Sequence, residues 1–253
     1  MKSLLIPVLL ISVSVSVSVN VLASGLSDTT SRSLNTLTAN EKAKGWKLLF
    51  NGKDLAGWRS AGKTTQPNKG WHVTDGVLVV EPDKGKEAAN GGDIVTLATY
   101  NNFDLVFDFK IVPGSNSGVK YFVTESYATS GSAIGLEYQI LDDERHPDAK
   151  LGRDGNRTAA SLYDLIPARK DKPIHPVGEW NQGRVLVRGH HVEHWLNGQK
   201  VLEYERGSAK FRTLVAGSKY KTYPGFGEAA AGHILLQDHG DQVFFTNVKI
   251  LVL

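Results

Sequence analysis

Apolar and polar positions alternate with period two along "FDLVFDFKIV": Phe103, Leu105, Phe107 and Phe109 fall on one side, and Asp104, Val106, Asp108 and Lys110 on the other. That spacing predicts a β-strand with one face in a core and one toward solvent. Similar short runs, rich in β-branched and aromatic residues, recur along the chain: "WKLLF", "WHVTDGVLVV", "DIVTLATY", "GVKYFVT", "IGLEYQIL", "RVLVRG", "HVEHWL", "KVLEYE", "HILLQDH" and "VFFTNVKILVL". Gly, Asn, Asp and Pro separate them, as turns require. "TDG" at 74–76 and "LNGQ" at 196–199 read as hairpin turns, because Asp-Gly and Asn-Gly tolerate the positive φ of a tight turn. About eleven such strands with little helix predict an all-β antiparallel sandwich or barrel, and their irregular spacing excludes a propeller. Two stretches break the pattern, 142–160 and 206–231; long loops in an otherwise economical sandwich tend to carry function.

The start of the chain reads differently. Lys2, an apolar run and Val21-Leu22-Ala23 have the layout of a secretory leader cut after Ala23. Residues 24–37 are polar and read as a flexible tether. Thr38 with Glu41 three residues on forms a capping box, and Gly45 a stop, so a short helix opens a single domain over 38–253. The leader predicts export, to the periplasm or beyond. No later apolar run is long enough to span a membrane, and the absence of Cys at the cut excludes a cysteine lipid anchor.

Composition narrows the chemistry. The 253 residues contain no Cys, which removes disulfides, thiol catalysis and most structural zinc sites. A net charge of +3 is too small a surplus for a nucleic-acid partner. There is no G-x-S-x-G nucleophile elbow and no phosphate-binding glycine loop.

The polar residues placed on strands are more informative. In "GLEYQILDD", Leu136, Tyr138 and Ile140 face one way, and Glu137, Gln139 and Leu141 the other, setting a carboxylate and an amide roughly 7 Å apart on one surface. Leu235, Gln237 and His239 share a face of "HILLQDH". His194 lies with Val192 and Leu196, opposite His191, Glu193 and Trp195, and Lys120 lies with Phe122. Amides, carboxylates and histidines hydrogen-bond sugar hydroxyls, and flat aromatics cover sugar C–H faces, so the group suits carbohydrate better than plain solvation. A concave sheet would gather these strands into one groove. A divalent metal held by Glu137, Asp142 and one or more of His146, His194 and His239 is a further option.

The blocks "LLFNGKDLAGW", "TLATYNNFDLVFDFKIVPGSNSGVKY", "GLEYQILDD", "SLYDLI", "GEWNQGRVLVRGHHVEHWLNGQKVLEY", "GHILLQDHG" and "VFFTNVKI", in this order over about residues 44–253, resemble the 3-keto-disaccharide hydrolase domain. The resemblance implies a concanavalin A-like jelly-roll sandwich of the lectin and glucanase type. It implies an exported protein that cleaves glycosides already oxidised at C3 by a partner sugar 3-dehydrogenase, by elimination and hydration or by net hydrolysis. A C3 ketone acidifies the C2 proton, so the chemistry needs a base, an electrophile for the enolate oxygen and an acid for the leaving group. By this resemblance Glu137, His239 or His194 would be the base. Lys120, Gln139, Gln237 or a metal would hold the oxyanion, and Asn116, Tyr163 and Trp195 would position the sugar. A non-catalytic, lectin-like carbohydrate binder is the alternative, since the same sandwich hosts many binders.

Overall fold

The structure is a computed structural model that describes Met1, residues 34–126 and residues 133–253. The leader and most of the tether expected before residue 34 lie outside the described residues. The end of that tether is pinned. Asn35 is buried, its backbone N–H donates to Asn247 Oδ1 (2.7 Å), and its side chain donates to Gly76 O (2.7 Å). The short helix follows as α1 (Ala39–Ala43), with Thr38 and Glu41 forming the reciprocal capping box.

Two antiparallel sheets face each other across one aromatic core. One sheet holds β1 (Lys47–Leu48), β3 (Trp71–Thr74), β4 (Val77–Val80), β6 (Phe103–Ile111), β9 (Asn181–Arg188), β10 (His191–Leu196), β11 (Gln199–Glu205) and β13 (Val243–Val252). Its strands run in the order β11-β10-β9-β6-β13-β4-β3, with β1 on β13. The other holds β2 (Trp58–Ser60), β5 (Ile94–Thr96), β7 (Asn116–Val123), β8 (Leu136–Leu141) and β12 (His233–Leu236), ordered β2-β5-β12-β7-β8. This is the antiparallel jelly-roll sandwich expected from the strand pattern and the resemblance. Phe103, Leu105, Phe107 and Phe109 all enter the core, where the Phe107 ring meets Tyr138 of the other sheet edge-on at 5.2 Å. Both hairpin turns form as read, with positive φ at Asp75-Gly76 and Asn197-Gly198.

Three elements depart from the sequence reading. β2 is too short to show a period. The stretch 206–231, read as loop, contains α2 (Ala209–Ala216), capped by Ser208 and ended at Gly217, and then a single helical turn at Lys219–Thr222. Phe122 does not share a face with Lys120: its φ of 55° bulges β7, and the ring joins the core beside Tyr121.

His194 is also a core residue, fully buried between the sheets. Its Nδ1 lies 3.0 Å from Ala160 O, which can only accept, so Nδ1 carries the proton. Nε2 then accepts from the Tyr121 hydroxyl (2.7 Å), which in turn accepts from Tyr204 (2.8 Å). Every polar atom of the trio is satisfied only while the imidazole is neutral. Burial drives its pKa down to about 4, against the smaller pull of Ala160 O. Between pH 6.5 and about 4 the unfolded chain therefore binds a proton that the folded chain refuses, and stability falls as pH falls through that window. Urea titrations across pH 6.5 to 5 should show wild-type stability dropping with a slope approaching about 1.4 kcal/mol per pH unit from this residue. His194→Gln should lack that contribution; an identical slope in both proteins would contradict the assignment.

Candidate functional site

The outward face of the five-stranded sheet carries the site. Along β8, Leu136, Tyr138 and Ile140 enter the core and Glu137 and Gln139 face away from it, yet all six residues of the strand are buried. Loops roof the outer face and leave a recess of about 270 Å³, lined by Glu87, Asn116, Glu137, Gln139, Tyr163, Lys219, Gln237 and His239, with His146, Pro147, Asp148 and Leu151 along one wall. The groove expected from a concave sheet is thus a pocket built by loops over β7, β8 and the segment that follows β12.

Glu137 stands on the floor, 5 % exposed. It rests over Gly118, the β7 residue that pairs with Gln139, while Glu137 itself pairs with Lys120. A methyl group on Gly118 would lie 2.9 Å from Glu137 Cγ and Cδ, and closer still to Oε1, so only glycine leaves room for the carboxylate. One orientation of the Gln139 amide donates to Ser117 O (3.0 Å) and Glu137 Oε1 (3.3 Å). The other makes a single 3.4 Å bond to Arg157 O, so the amide lies along Glu137. Burial raises the pKa of Glu137, while Lys120, Lys219 and His239 pull against it. Gly118→Ala should therefore displace the carboxylate rather than unfold the sheet. A shift of about 1 Å at a reacting group costs on the order of 10²-fold, which steady-state kinetics on any turned-over substrate would register beside an unchanged melting temperature.

His239 occupies the opposite side. Its segment is tied down at three points: Asp238 N–H donates to Asp93 Oδ1 (3.0 Å), and Asp238 accepts from Gly92 N–H and Gly240 N–H (3.0 Å each). His239 Nδ1 lies 3.8 Å from Asp241 Oδ2, which already accepts Asn116 N–H at 3.1 Å. Burial works to lower the His239 pKa, but Asp241, Glu87 and Glu137 outweigh it and the net shift is upward. Beside it, His146 Nδ1 accepts Asp148 N–H (3.2 Å), and its Nε2 lies 3.9 Å from Asp241 Oδ2. With Nδ1 accepting, a neutral His146 keeps its proton on Nε2, where it has no lone pair to give a metal. His146 and His239 thus gather two imidazoles about the Asp241 carboxylate, at 3.9 and 3.8 Å.

The wall is held by a chain of charge-assisted bonds. Tyr163 donates to Asp148 Oδ2 (2.7 Å), Arg157 joins Asp148 and Asp164 (2.7 Å each), and Asp164 accepts Lys219 N–H (2.8 Å). The chain ties the loop after β8 to the turn after α2 and fixes the Tyr163 ring, which is 8 % exposed. Three buried polar atoms of lining residues find no protein partner: Asn116 Oδ1, Gln237 Oε1 and His239 Nδ1. Unsatisfied buried polar atoms gathered in one pocket are the mark of a polar ligand.

Six of the nine expected site residues meet here: Glu137, His239, Asn116, Gln139, Tyr163 and Gln237. Three do not. His194 is the buried core histidine described above. Trp195 lies on the outward face of the other sheet, its indole N–H donating to Glu193 (2.7 Å) and its ring under Arg184. Lys120 is 4 % exposed behind Glu137, bonded to Ala133 O (3.1 Å) and paired with Asp93 (3.5 Å), so it acts on Glu137 only through its field. The metal grouping through Asp142 also fails: that carboxylate accepts Gly114, Glu144 and Arg145 N–H groups and the Arg145 guanidinium, and it organises its own loop. Glu87, Asp148, Lys219 and Asp241 were missed. Asp148 and Lys219 sit in the two long stretches singled out from the sequence; Glu87 and Asp241 had no periodic signal.

Comparison with known proteins places this geometry. The family described as the 3-keto-alpha-glucoside-1,2-lyase-like domain matches residues 45–251. A 3-keto-disaccharide hydrolase of Bacteroides thetaiotaomicron is 37 % identical over 241 residues, covering 87 % of this chain and 82 % of that protein. Two crystal structures from Parabacteroides distasonis, each named "putative glycosyl hydrolase", share the fold. One has a TM-score of 0.75 at 36 % identity, over 87 % of this chain and 99 % of the other. The second has a TM-score of 0.58 at 28 % identity, over 82 % and 99 %.

Proposed function

The chain belongs to the 3-keto-alpha-glucoside-1,2-lyase-like family, and from that premise we propose that it is a carbohydrate-active enzyme that cleaves the glycosidic bond of glycosides carrying a ketone at C3. The observation that carries the reading is the buried Glu137 sharing with His239 a pocket in which Asn116 Oδ1, Gln237 Oε1 and His239 Nδ1 lack protein partners. A pure binder has no use for a carboxylate whose burial strengthens it as a base.

Glu137 takes the C2 proton, and the C2–H electrons pass into the enolate of the C3 ketone. The enolate collapses to a C1=C2 double bond as the C1–O bond breaks, and the departing oxygen takes a proton from the His239 imidazolium. Water then adds across C1=C2, hydroxyl to C1 and proton to C2, so the sum is hydrolysis. The carboxylates around His239 favour its protonated form, as an acid requires. No oxocarbenium ion forms, and a second catalytic carboxylate is unnecessary. Asn116, Gln237 and Tyr163 meet the sugar hydroxyls. The substrate's ketone implies a dehydrogenase acting earlier on the same sugar, and the apolar leader supports export as the setting.

Incubation of the full chain with a 3-keto disaccharide and with its unoxidised parent tests the reading. Sugar release from the 3-keto compound alone, with deuterium entering C2 in D2O, is the expected result. Equal cleavage of the parent would point to an ordinary glycosidase, and binding without release to a lectin-like role; either sinks the proposal.

A further inference from the structure

Lys219 is the only lysine or arginine among the residues lining the recess, and the reaction proposed above develops a negative charge that nothing yet described neutralises. Lys219 is exposed as a residue, but the turn that carries it is fixed. Its backbone N–H is held by Asp164 Oδ2 (2.8 Å), and Ser218 Oγ, one residue before, accepts Tyr220 N–H (3.1 Å). The Tyr220 ring, 3 % exposed, stacks on Phe226 with centroids 4.0 Å apart and planes at 11°. The turn is thus nailed to the core on one side and to the wall of the pocket on the other. From there the Lys219 stem crosses the rim, and its Nζ hangs 4.1 Å from the centroid of the Tyr163 ring.

Two comparisons sharpen the point. Lys120, the other lysine whose field reaches Glu137, is fully engaged by Asp93 and Ala133. The Lys219 ammonium has no carboxylate within 4.0 Å among the described residues, and the face of Tyr163 is its nearest stabilising contact. Burial lowers its pKa, with Glu137 opposing. A cation held in a pocket with no carboxylate in direct contact does little for a neutral ketone. It interacts strongly with an oxyanion that exists only once the C2 proton has left.

We propose that Lys219 is a catalytic residue: its ammonium contacts the C3 oxygen and stabilises the enolate that Glu137 generates. This rests on the 3-keto reading of the site. The step is non-covalent and moves no electrons to or from the lysine; the charge gathered on O3 returns into the C2=C1 bond as the leaving group departs.

The test uses the full chain with Lys219→Met, Lys219→Gln and Lys219→Arg, a 3-keto glucoside and the same compound deuterated at C2. Removing one oxyanion donor typically costs about 10²–10³ in kcat. We expect that loss in the Met and Gln variants with KM changed only a few-fold, a larger C2 isotope effect as proton removal becomes slower, and partial recovery with Arg. A lysine that merely props the turn would change melting temperature and leave the isotope effect alone. Unchanged kcat, a loss confined to KM, or a borohydride-trapped sugar adduct on Lys219 would each overturn the assignment. If the wild type cleaves no 3-keto glycoside, the substrate reading fails. If it does and Lys219→Met cleaves as fast, only this proposal fails.

Discussion

Glu137→Gln should lower turnover of a 3-keto glycoside by about 10²–10⁴, the range a positioned general base contributes, while sugar affinity and thermal stability hold. The amide fits the same space over Gly118, and it relieves the cost of keeping a charge in a group that is 5 % exposed. Lys120 and Lys219 lose a favourable partner, but Lys120 keeps Asp93. The pH profile adds a second check. Burial sets the pKa of Glu137 above the ordinary 4.5, so wild-type activity should rise with pH through a limb above that value, and the limb should be missing from the residual activity of the variant. Single-turnover rates across pH, beside a melting curve, measure both. Full turnover in Glu137→Gln would remove it as the base.

The second large effect is on stability. Asp93→Ala should cost about 3–5 kcal/mol, the penalty for stranding one member of a buried ion pair, out of a total that is about 5–15 kcal/mol for most domains. Asp93 is 0 % exposed. It pairs with Lys120 and accepts the backbone N–H groups of Ala133 (3.3 Å) and Asp238 (3.0 Å). Lys120 remains charged in this setting: burial acts to neutralise it, but the carboxylates of Asp93, Glu137 and Glu87 prevail. Removing Asp93 leaves that ammonium with the Ala133 carbonyl but no paired carboxylate, and strands two N–H groups. Urea unfolding should show the loss, and adding Lys120→Met should return part of it, since an apolar side chain leaves no stranded charge. If the double variant is no more stable than the single, charge burial is not the cause. Because the Asp238 contact also anchors the segment carrying His239, Asp93→Ala should slow turnover even below its unfolding midpoint.

How far the sequence reveals this arrangement depends on which force decided each residue. Alternation on one chain is enough to orient a strand, which is why β6 and β8 are legible residue by residue. It does not say what lies beyond the outer face. Glu137 and Trp195 both point away from the core, but the loops that roof Glu137 belong to its own sheet, and Trp195 meets the Arg184 guanidinium and Glu193. The pattern likewise assigned His194 to its correct face, with Val192 and Leu196. That face is the sandwich interior, where Tyr121 and Ala160, distant in sequence, satisfy the ring. Lys120 reads as a free electrophile until Asp93 is known to lie behind it. Lys219 is hidden for the opposite reason: it sits in a segment with no strand period, and only the Ser218 and Asp164 bonds turn that segment into a fixed platform.

The strand β12 has a consequence for how the protein acquires activity at all. It slots between β5 and β7, pairing Leu235 with Val95 and Lys120 although more than 110 residues separate it from either. Such closures are slow, because chain entropy is lost before the contact repays it. Gln237 and His239 follow directly on this strand, whereas Glu137 and Asn116 belong to the β7–β8 hairpin, a local pairing. A chain that has folded the hairpin but not inserted β12 holds the proposed base without the proposed acid. Catalysis therefore works as a completeness gauge: in a refolding experiment its return dates the long-range insertion, while spectroscopic signals of sheet formation can rise earlier.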